Sequence, residues 1–184
     1  MRKPTRSISE TVVQGEFSLR SARDDDAQDL FGLITLCFAE YPGCFTDPHD
    51  DLPDLVHPGR WQSRCAADGR LLGGEFLVVE DARGRVCACI ALDFPEISAD
   101  GSPIAELHRL YVRPDCRGRG LAKRLTLHVE ALARQTGARR MILWSDTRFT
   151  KAHALYGGLG YYRGKTRPLG DLSNSIEYFF DKAL

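Results

Sequence analysis

The sequence predicts an α/β (α+β) domain: one sheet of about seven strands flanked by about four helices. Three observations predict it. Segments with two-residue apolar alternation and segments with helical spacing follow one another in the order strand, helix, loop with a short helix, three strands, helix, strand, helix, two strands. Gly, Pro and Asp clusters punctuate the boundaries between them. At 184 residues, 43% apolar and 27% charged, the chain has the size and balance of a single globular domain.

Residues 1–14 read as a flexible lead-in, and the domain spans 15–184. Glu16–Ala22 is the first strand. Asp25 with Gln28 resembles a capping box, opening a helix with apolar Leu30, Ile34, Cys37 and Phe38. From Tyr41 to Arg60 the chain is rich in Pro, Gly and Asp and reads as a long loop, a length that often signals function. A short helix is expected near Trp61–Ala67. Glu75–Glu80 and Arg85–Asp93 are strands joined by Asp81-Ala82-Arg83-Gly84, a hairpin signal. In the second of these Val86, Ala88, Ile90 and Leu92 alternate with Cys87, Cys89 and Ala91. Both faces are apolar, as in a central strand, and Cys87 and Cys89 are expected on one face.

Ile104–Val112 is a further strand, stopped by Arg113-Pro114. Arg119–Thr136 has helical spacing at Leu121, Leu125, Val129, Leu132 and Ala133, with Gly137 at the C-terminal cap. Arg140–Trp144 is a strand, Thr150–Leu159 a helix, and Tyr161–Arg167 and Ser175–Lys182 the last strands. The edge of Ser175–Lys182 is where a second subunit, in a homodimer, would pair.

Lys plus Arg and Asp plus Glu both number 25, so the formal net charge is zero. That argues against a general nucleic-acid or membrane-surface binder. No apolar run approaches the roughly 20 residues of a membrane span, and Met1–Gln14 has no apolar signal-peptide core. A cytoplasmic location is expected. The six cysteines form no CxxC pair and no Cys/His zinc spacing, so they read as reduced core residues and no metal is expected. Cys116 precedes a basic, glycine-rich turn but has no neighbouring His to activate it.

That turn is the strongest local signal: Tyr111-Val112-Arg113-Pro114-Asp115-Cys116-Arg117-Gly118-Arg119-Gly120-Leu121-Ala122. A strand ends and a helix begins with two glycines at its start. First-turn N–H groups lack internal partners, the helix dipole is positive there, and glycine lets a ligand approach the main chain. The arrangement suits a phosphate or pyrophosphate. Arg113, Arg117, Arg119, Lys123 and Arg124 supply local charge. A Walker loop is excluded because Leu121 follows Gly120, and a dinucleotide fingerprint because Lys123 stands where the third glycine belongs.

What remains, Arg117-x-x-Gly120-x-Ala122, resembles the Q/R-x-x-G-x-G/A signature of the GNAT superfamily of acetyltransferases. Upstream, Ala105–Pro114 resembles the strand that precedes it. Downstream, Ala152-His153-Ala154-Leu155-Tyr156-Gly157-Gly158-Leu159-Gly160-Tyr161 is similar to A-x-x-L-Y-x-x-x-G-F/Y. The resemblance covers roughly Arg85–Lys182. It implies a mixed, mostly antiparallel twisted sheet with a splayed central strand pair, in which Leu110–Val112 parts from Arg140–Trp144. It implies acetyl-coenzyme A as co-substrate, with Leu110, Tyr111, Val112, Arg117, Gly118, Arg119, Gly120, Leu121, Ala122, Lys123, Asp146 and Tyr156 in contact with it.

The resemblance also implies chemistry. A backbone N–H near Leu110 or Tyr111 would polarise the thioester carbonyl. Tyr156 would be the general acid, giving its phenol proton to the leaving thiolate. Glu106 is the candidate base, direct or through water, because it lies on the strand that carries a catalytic glutamate in some members. His108 shares its alternation phase and is a second candidate. The acceptor would enter beside the Tyr41–Arg60 loop, where Asp47, Asp50, Asp51 and Asp54 lie with Tyr41, Phe45 and Trp61 nearby, a setting for a cationic amine. His49 and His57 carry no assignment. A small-molecule amine acceptor is expected; a protein N-terminus or lysine, or a coenzyme A-binding regulatory domain without turnover, are the alternatives.

Overall fold

The computed structural model describes residues 16–46, 52–66 and 68–184. The lead-in at 1–14 and Asp47, His49, Asp50 and Asp51 lie outside the described residues. Among those described, one sheet is built from β1 (Phe17–Ser21), β2 (Glu75–Asp81), β3 (Val86–Ile97), β4 (Pro103–Val112), β5 (Arg140–Asp146), β6 (Tyr162–Pro168) and β7 (Ile176–Ala183). The order is β1-β2-β3-β4-β5-β7-β6, antiparallel throughout except between β4 and β5. Three α-helices flank it: α1 (Ala27–Phe38), α2 (Leu121–Gln135) and α3 (Thr150–Gly158). The helix expected at Trp61–Ala67 is instead a 3-10 turn, Pro58–Ser63. Six residues with Gly59 in the first turn gain few α-helical bonds to offset nucleation, and short segments of this kind close as 3-10 turns.

Local chemistry explains the joints. In the β2–β3 hairpin the Asp81 carboxylate accepts the N–H groups of Arg83 and Arg85 at 3.0 and 3.1 Å. At the start of α1 the working residue is Asp26 rather than Asp25. Asp26 accepts the Arg23 N–H at 2.7 Å and both Nη groups of Arg20 at 2.7 Å, tying β1 to the helix. At the end of α2, Gly137 takes φ 89°, a left-handed turn that lets the Ala138 N–H reach the Ala133 carbonyl at 3.1 Å.

The core lies on both sides of the sheet. On one side Leu30, Leu33, Ile34 and Cys37 of α1 pack with Trp61 against Phe76, Val78, Cys89 and Ala91. On the other, Leu121, Leu125, Val129 and Ala133 of α2 and Tyr156 of α3 cover Ala88, Ile90, Leu92, Met141 and Phe180. Each fully buried leucine contributes about 2 kcal/mol. Cys87 and Cys89 fall on opposite faces, not on one. The β2–β3 register slips from Val79↔Ala88 to Glu80↔Val86, leaving Cys87 as the extra residue of a bulge that turns it over.

Two irregularities shape the centre. β4 and β5 pair only from Ile104↔Arg140 to Glu106↔Ile142 and then part, the expected splay. Along β4 the register with β3 slips between Tyr111↔Cys89 and His108↔Ala91, so Arg109 and Leu110 together oppose Ile90. Arg109 takes φ 54° in this bulge. The expectation of a free edge on the last strand is overturned, because β7 is bonded to β5 on one side and β6 on the other. The edge is β6, whose Arg163, Lys165 and Arg167 are charges of the kind that discourage strand addition.

Candidate active site

Two cavities meet where β4 and β5 part, and Leu110, Tyr111, Phe149 and Ala152 line both. The first, about 310 Å³, lies between the end of β4, the start of α2, the end of α1 and the start of α3. Its walls hold Leu110, Tyr111, Val112, Arg117, Gly118, Gly120, Leu121, Ala122 and Lys123, together with Tyr41 and Lys151.

The turn into α2 is built from glycine. Gly118 and Gly120 take φ 77° and 74°, where a side chain would be strained. Gly120 is the N-cap and has no side chain with which to cap the helix. The first helical bond, from the Arg124 N–H to the Gly120 carbonyl at 3.0 Å, leaves the N–H groups before it pointing out of the helix start. With Lys123 and Lys151 beside them, these donors fit an anionic diphosphate.

Two arginines of the turn have other engagements. Arg117 donates to both carboxylate oxygens of Glu40 at 2.7 and 2.5 Å and to the Val112 carbonyl at 2.9 Å, clamping the end of α1 to the turn. These bonds, against an opposing push from burial, hold the Glu40 carboxyl below its ordinary range. Arg119 pairs with Glu16 and lies over the Phe17 ring, so its guanidinium points toward β1 and away from the cavity.

The second cavity, about 450 Å³, is lined by Glu106, His108, Trp144, Asp146, Phe45 and Tyr156 among others. Tyr156 is buried, 5.3 Å from the Phe180 ring and 5.7 Å from that of Tyr161. Burial raises its phenol well above the ordinary tyrosine value, and nearby Tyr111 adds to this, so the hydroxyl keeps its proton. Burial likewise raises Glu106; His108 opposes the rise and Asp93 reinforces it. The His108 Nε2 lies 3.8 Å from Glu106 Oε2 and 3.1 Å from Asp93 Oδ1.

Asp146 is on this side and not in the first cavity. Its carboxylate accepts Arg148 Nε and Nη2 at 2.9 and 2.6 Å. Burial pushes that carboxyl up, but the Arg148 bonds outweigh it and the net shift is downward. Arg148 also donates to the carbonyls of Gly43 and Ser173 at 3.0 and 3.3 Å and to the Ser175 hydroxyl at 2.9 Å. It thereby joins three chain segments around the cavity. Asp54 is bound by Arg109 at 2.7 and 3.1 Å. Trp61 sits in the core, its Nε1–H bonded to the Leu92 carbonyl at 3.0 Å.

Sequence reasoning missed Asp93, Phe149, Lys151 and Arg148. Asp93 carried a signal, being a carboxylate at the end of a run apolar on both faces. Phe149 carried another, an aromatic at a helix N-cap where Ser, Thr, Asp or Asn is favoured.

The model of the acetyltransferase (GNAT) family matches residues 33–161. The uncharacterized N-acetyltransferase YjgM of Escherichia coli (strain K12) is 38% identical over 65 residues, 35% of this chain and only 39% of that protein's length. A GNAT-family acetyltransferase from Staphylococcus aureus Mu50 superposes with a TM-score of 0.71 at 16% identity, over 91% of this chain and 99% of that one. The PaiA N-acetyltransferase from Thermoplasma acidophilum, solved in complex with coenzyme A, gives 0.66 at 19% identity, over 92% and 100%. At these identities the solved structures share the fold.

Proposed function

The chain belongs to the acetyltransferase (GNAT) family, and from that premise we propose that it transfers an acetyl group from acetyl-coenzyme A to a primary amine of a small molecule. The observation that carries the reading is the junction of the two cavities at Leu110, Tyr111, Phe149 and Ala152. A thioester held in the first can face an amine held in the second.

The co-substrate supplies an activated acetyl group. The first-turn amides of α2, Lys123 and Lys151 hold its diphosphate, and the exposed main chain of β4 beyond Glu106 bonds its amide-bearing arm. The N–H of Leu110 or Tyr111, re-aimed by the bulge, stabilises negative charge on the carbonyl oxygen. Tyr156, kept protonated by burial, gives its proton to the departing sulfur. Glu106 and His108 face the amine, and the proton acceptor is one of them. Much of the rate comes from aligning the two reactants.

No helix among the described residues is long and apolar enough to cross a membrane. The test is an amine panel assayed by release of free coenzyme A thiol. Turnover of small amines supports the reading. Turnover of peptide lysines or N-termini alone would replace the substrate class, and tight coenzyme binding without any turnover would replace the enzyme with a sensor.

A further inference from the structure

Asp93 enters no motif and no step above, yet it is only 2% exposed beside the second cavity. It stands directly opposite Glu106 in the β3–β4 ladder. Carboxylates on facing rungs repel, so something between them must compensate. His108 does so, with Nε2 at 3.1 Å from Asp93 and 3.8 Å from Glu106. The other Asp93 oxygen accepts Arg64 Nη1 at 3.1 Å, and the Arg64 guanidinium lies 3.9 Å from the centre of the Trp61 ring. Trp61 is itself anchored to the Leu92 carbonyl. Asp93 is therefore held from behind and presents one oxygen to the imidazole.

We propose that Asp93 is a positioning residue that fixes His108 as its Nε2–H tautomer, leaving the Nδ1 lone pair to take the proton of the acceptor amine while Glu106 attracts the ammonium. The proposal rests on the acetyl-transfer reading. Imidazole is the commonest side-chain general base, and a buried carboxylate behind it sets tautomer and orientation. His108 Nδ1 takes one ammonium proton, and the freed nitrogen pair forms the C–N bond. The C–S bond breaks with its pair on sulfur, which takes the proton of Tyr156. The second nitrogen proton returns to the Tyr156 oxygen through water, and His108 passes its own to solvent.

The charged groups facing His108 are Asp93 on β3, Glu106 on β4, Arg64 behind Asp93, and Arg167 with its partner Glu177 across the cavity. Arg109, the next residue along, is paired with Asp54.

Long-range proton–nitrogen NMR on the full chain tests the tautomer, with His108→Gln assigning its signal among the five histidines. The expected state is Nε2–H in the wild type and Nδ1–H in Asp93→Asn. Turnover is read with whichever of tyramine, spermidine and a lysine-containing peptide is acetylated fastest. Asp93→Asn should lower kcat by about 100-fold with KM for acetyl-coenzyme A unchanged. It should cost nothing further in a His108→Gln background. An Nδ1–H wild type, activity within twofold in Asp93→Asn, or additive losses would overturn the proposal. So would activity that disappears on chelation and returns with zinc, since ligand atoms of Asp93, Glu106 and His108 lie within 4.8 Å of one another. If none of the amines is acetylated, the acetyl-transfer reading fails, and the wild-type tautomer still decides the role of Asp93. Should Asp93→Asn not fold, that same tautomer decides alone.

Discussion

Glu106 and Ile142 form the last rung between β4 and β5, and past them the strands separate. One residue therefore marks both the end of the parallel ladder and the wall of the second cavity. The unpaired main chain beyond it needs hydrogen-bond partners. A ligand lying there as an added strand would supply them, and the bulge at Arg109 and Leu110 falls within this stretch.

Replacing Tyr156 with Phe removes the hydroxyl and keeps the ring that packs on Phe180 and Tyr161. Thermal stability should change little. Steady-state kinetics should show kcat lower by about 100-fold with coenzyme A affinity retained. Unchanged turnover would remove Tyr156 from the mechanism.

Gly120 holds φ 74° at the cap of α2, and apart from its chain neighbours no atom of the described residues would lie within 4 Å of a Cβ there. Gly120→Val therefore meets backbone strain of about 1–2 kcal/mol and obstructs the approach of a ligand to the helix start. Calorimetric titration with coenzyme A should give an affinity at least about 10-fold weaker, equivalent to about 1.4 kcal/mol. The fold should persist, with a melting temperature lower by about 2–8 °C.

Asp26 links β1 to α1 through Arg20 and the Arg23 N–H. Burial alone would raise its carboxyl, but these bonds outweigh it and the folded-state value lies below the ordinary one. Its stabilising share is thus fully present above the unfolded value near pH 4 and is lost as pH falls through the folded value. Asp26→Asn should cost about 2 kcal/mol at pH 7. Urea unfolding at pH 7, 4 and 3 should show that difference shrinking as acid is added; a constant difference would refute it.

Glu130 is 1% exposed, and Lys182 reaches both its oxygens at 2.7 and 2.8 Å, joining α2 to β7. Lys182→Met leaves the buried Glu130 carboxylate to the more distant Arg134 Nη2 at 3.5 Å and should cost about 3 kcal/mol. The double variant Glu130→Gln with Lys182→Met should recover part of that loss. A double-mutant cycle in urea measures the coupling, and additivity would contradict it.

Much of the fold was legible because it rests on local rules. The apolar period of α2, the left-handed Gly137 and the Asp81–Gly84 hairpin each follow from a few neighbouring residues. The glycine turn into α2 was legible for the same reason, since Gly118 and Gly120 declare a backbone need. What escaped depends on register. The bulges that turn Cys87 over and set Arg109 and Leu110 against Ile90 arise from pairing with another strand. Asp93 and His108 lie 15 positions apart and meet only across that ladder. The reach of Arg148 to Gly43, 105 positions away, is a closure of loops that no local pattern announces.

The central claim is that the start of α2 grips a diphosphate and so aims a thioester at Tyr156. A crystal structure of the protein with coenzyme A tests it most directly. The account predicts the diphosphate on the amides of residues 118–123 and the sulfur within about 3.5 Å of the Tyr156 hydroxyl. A diphosphate bound elsewhere, or a sulfur out of reach of that phenol, would contradict it.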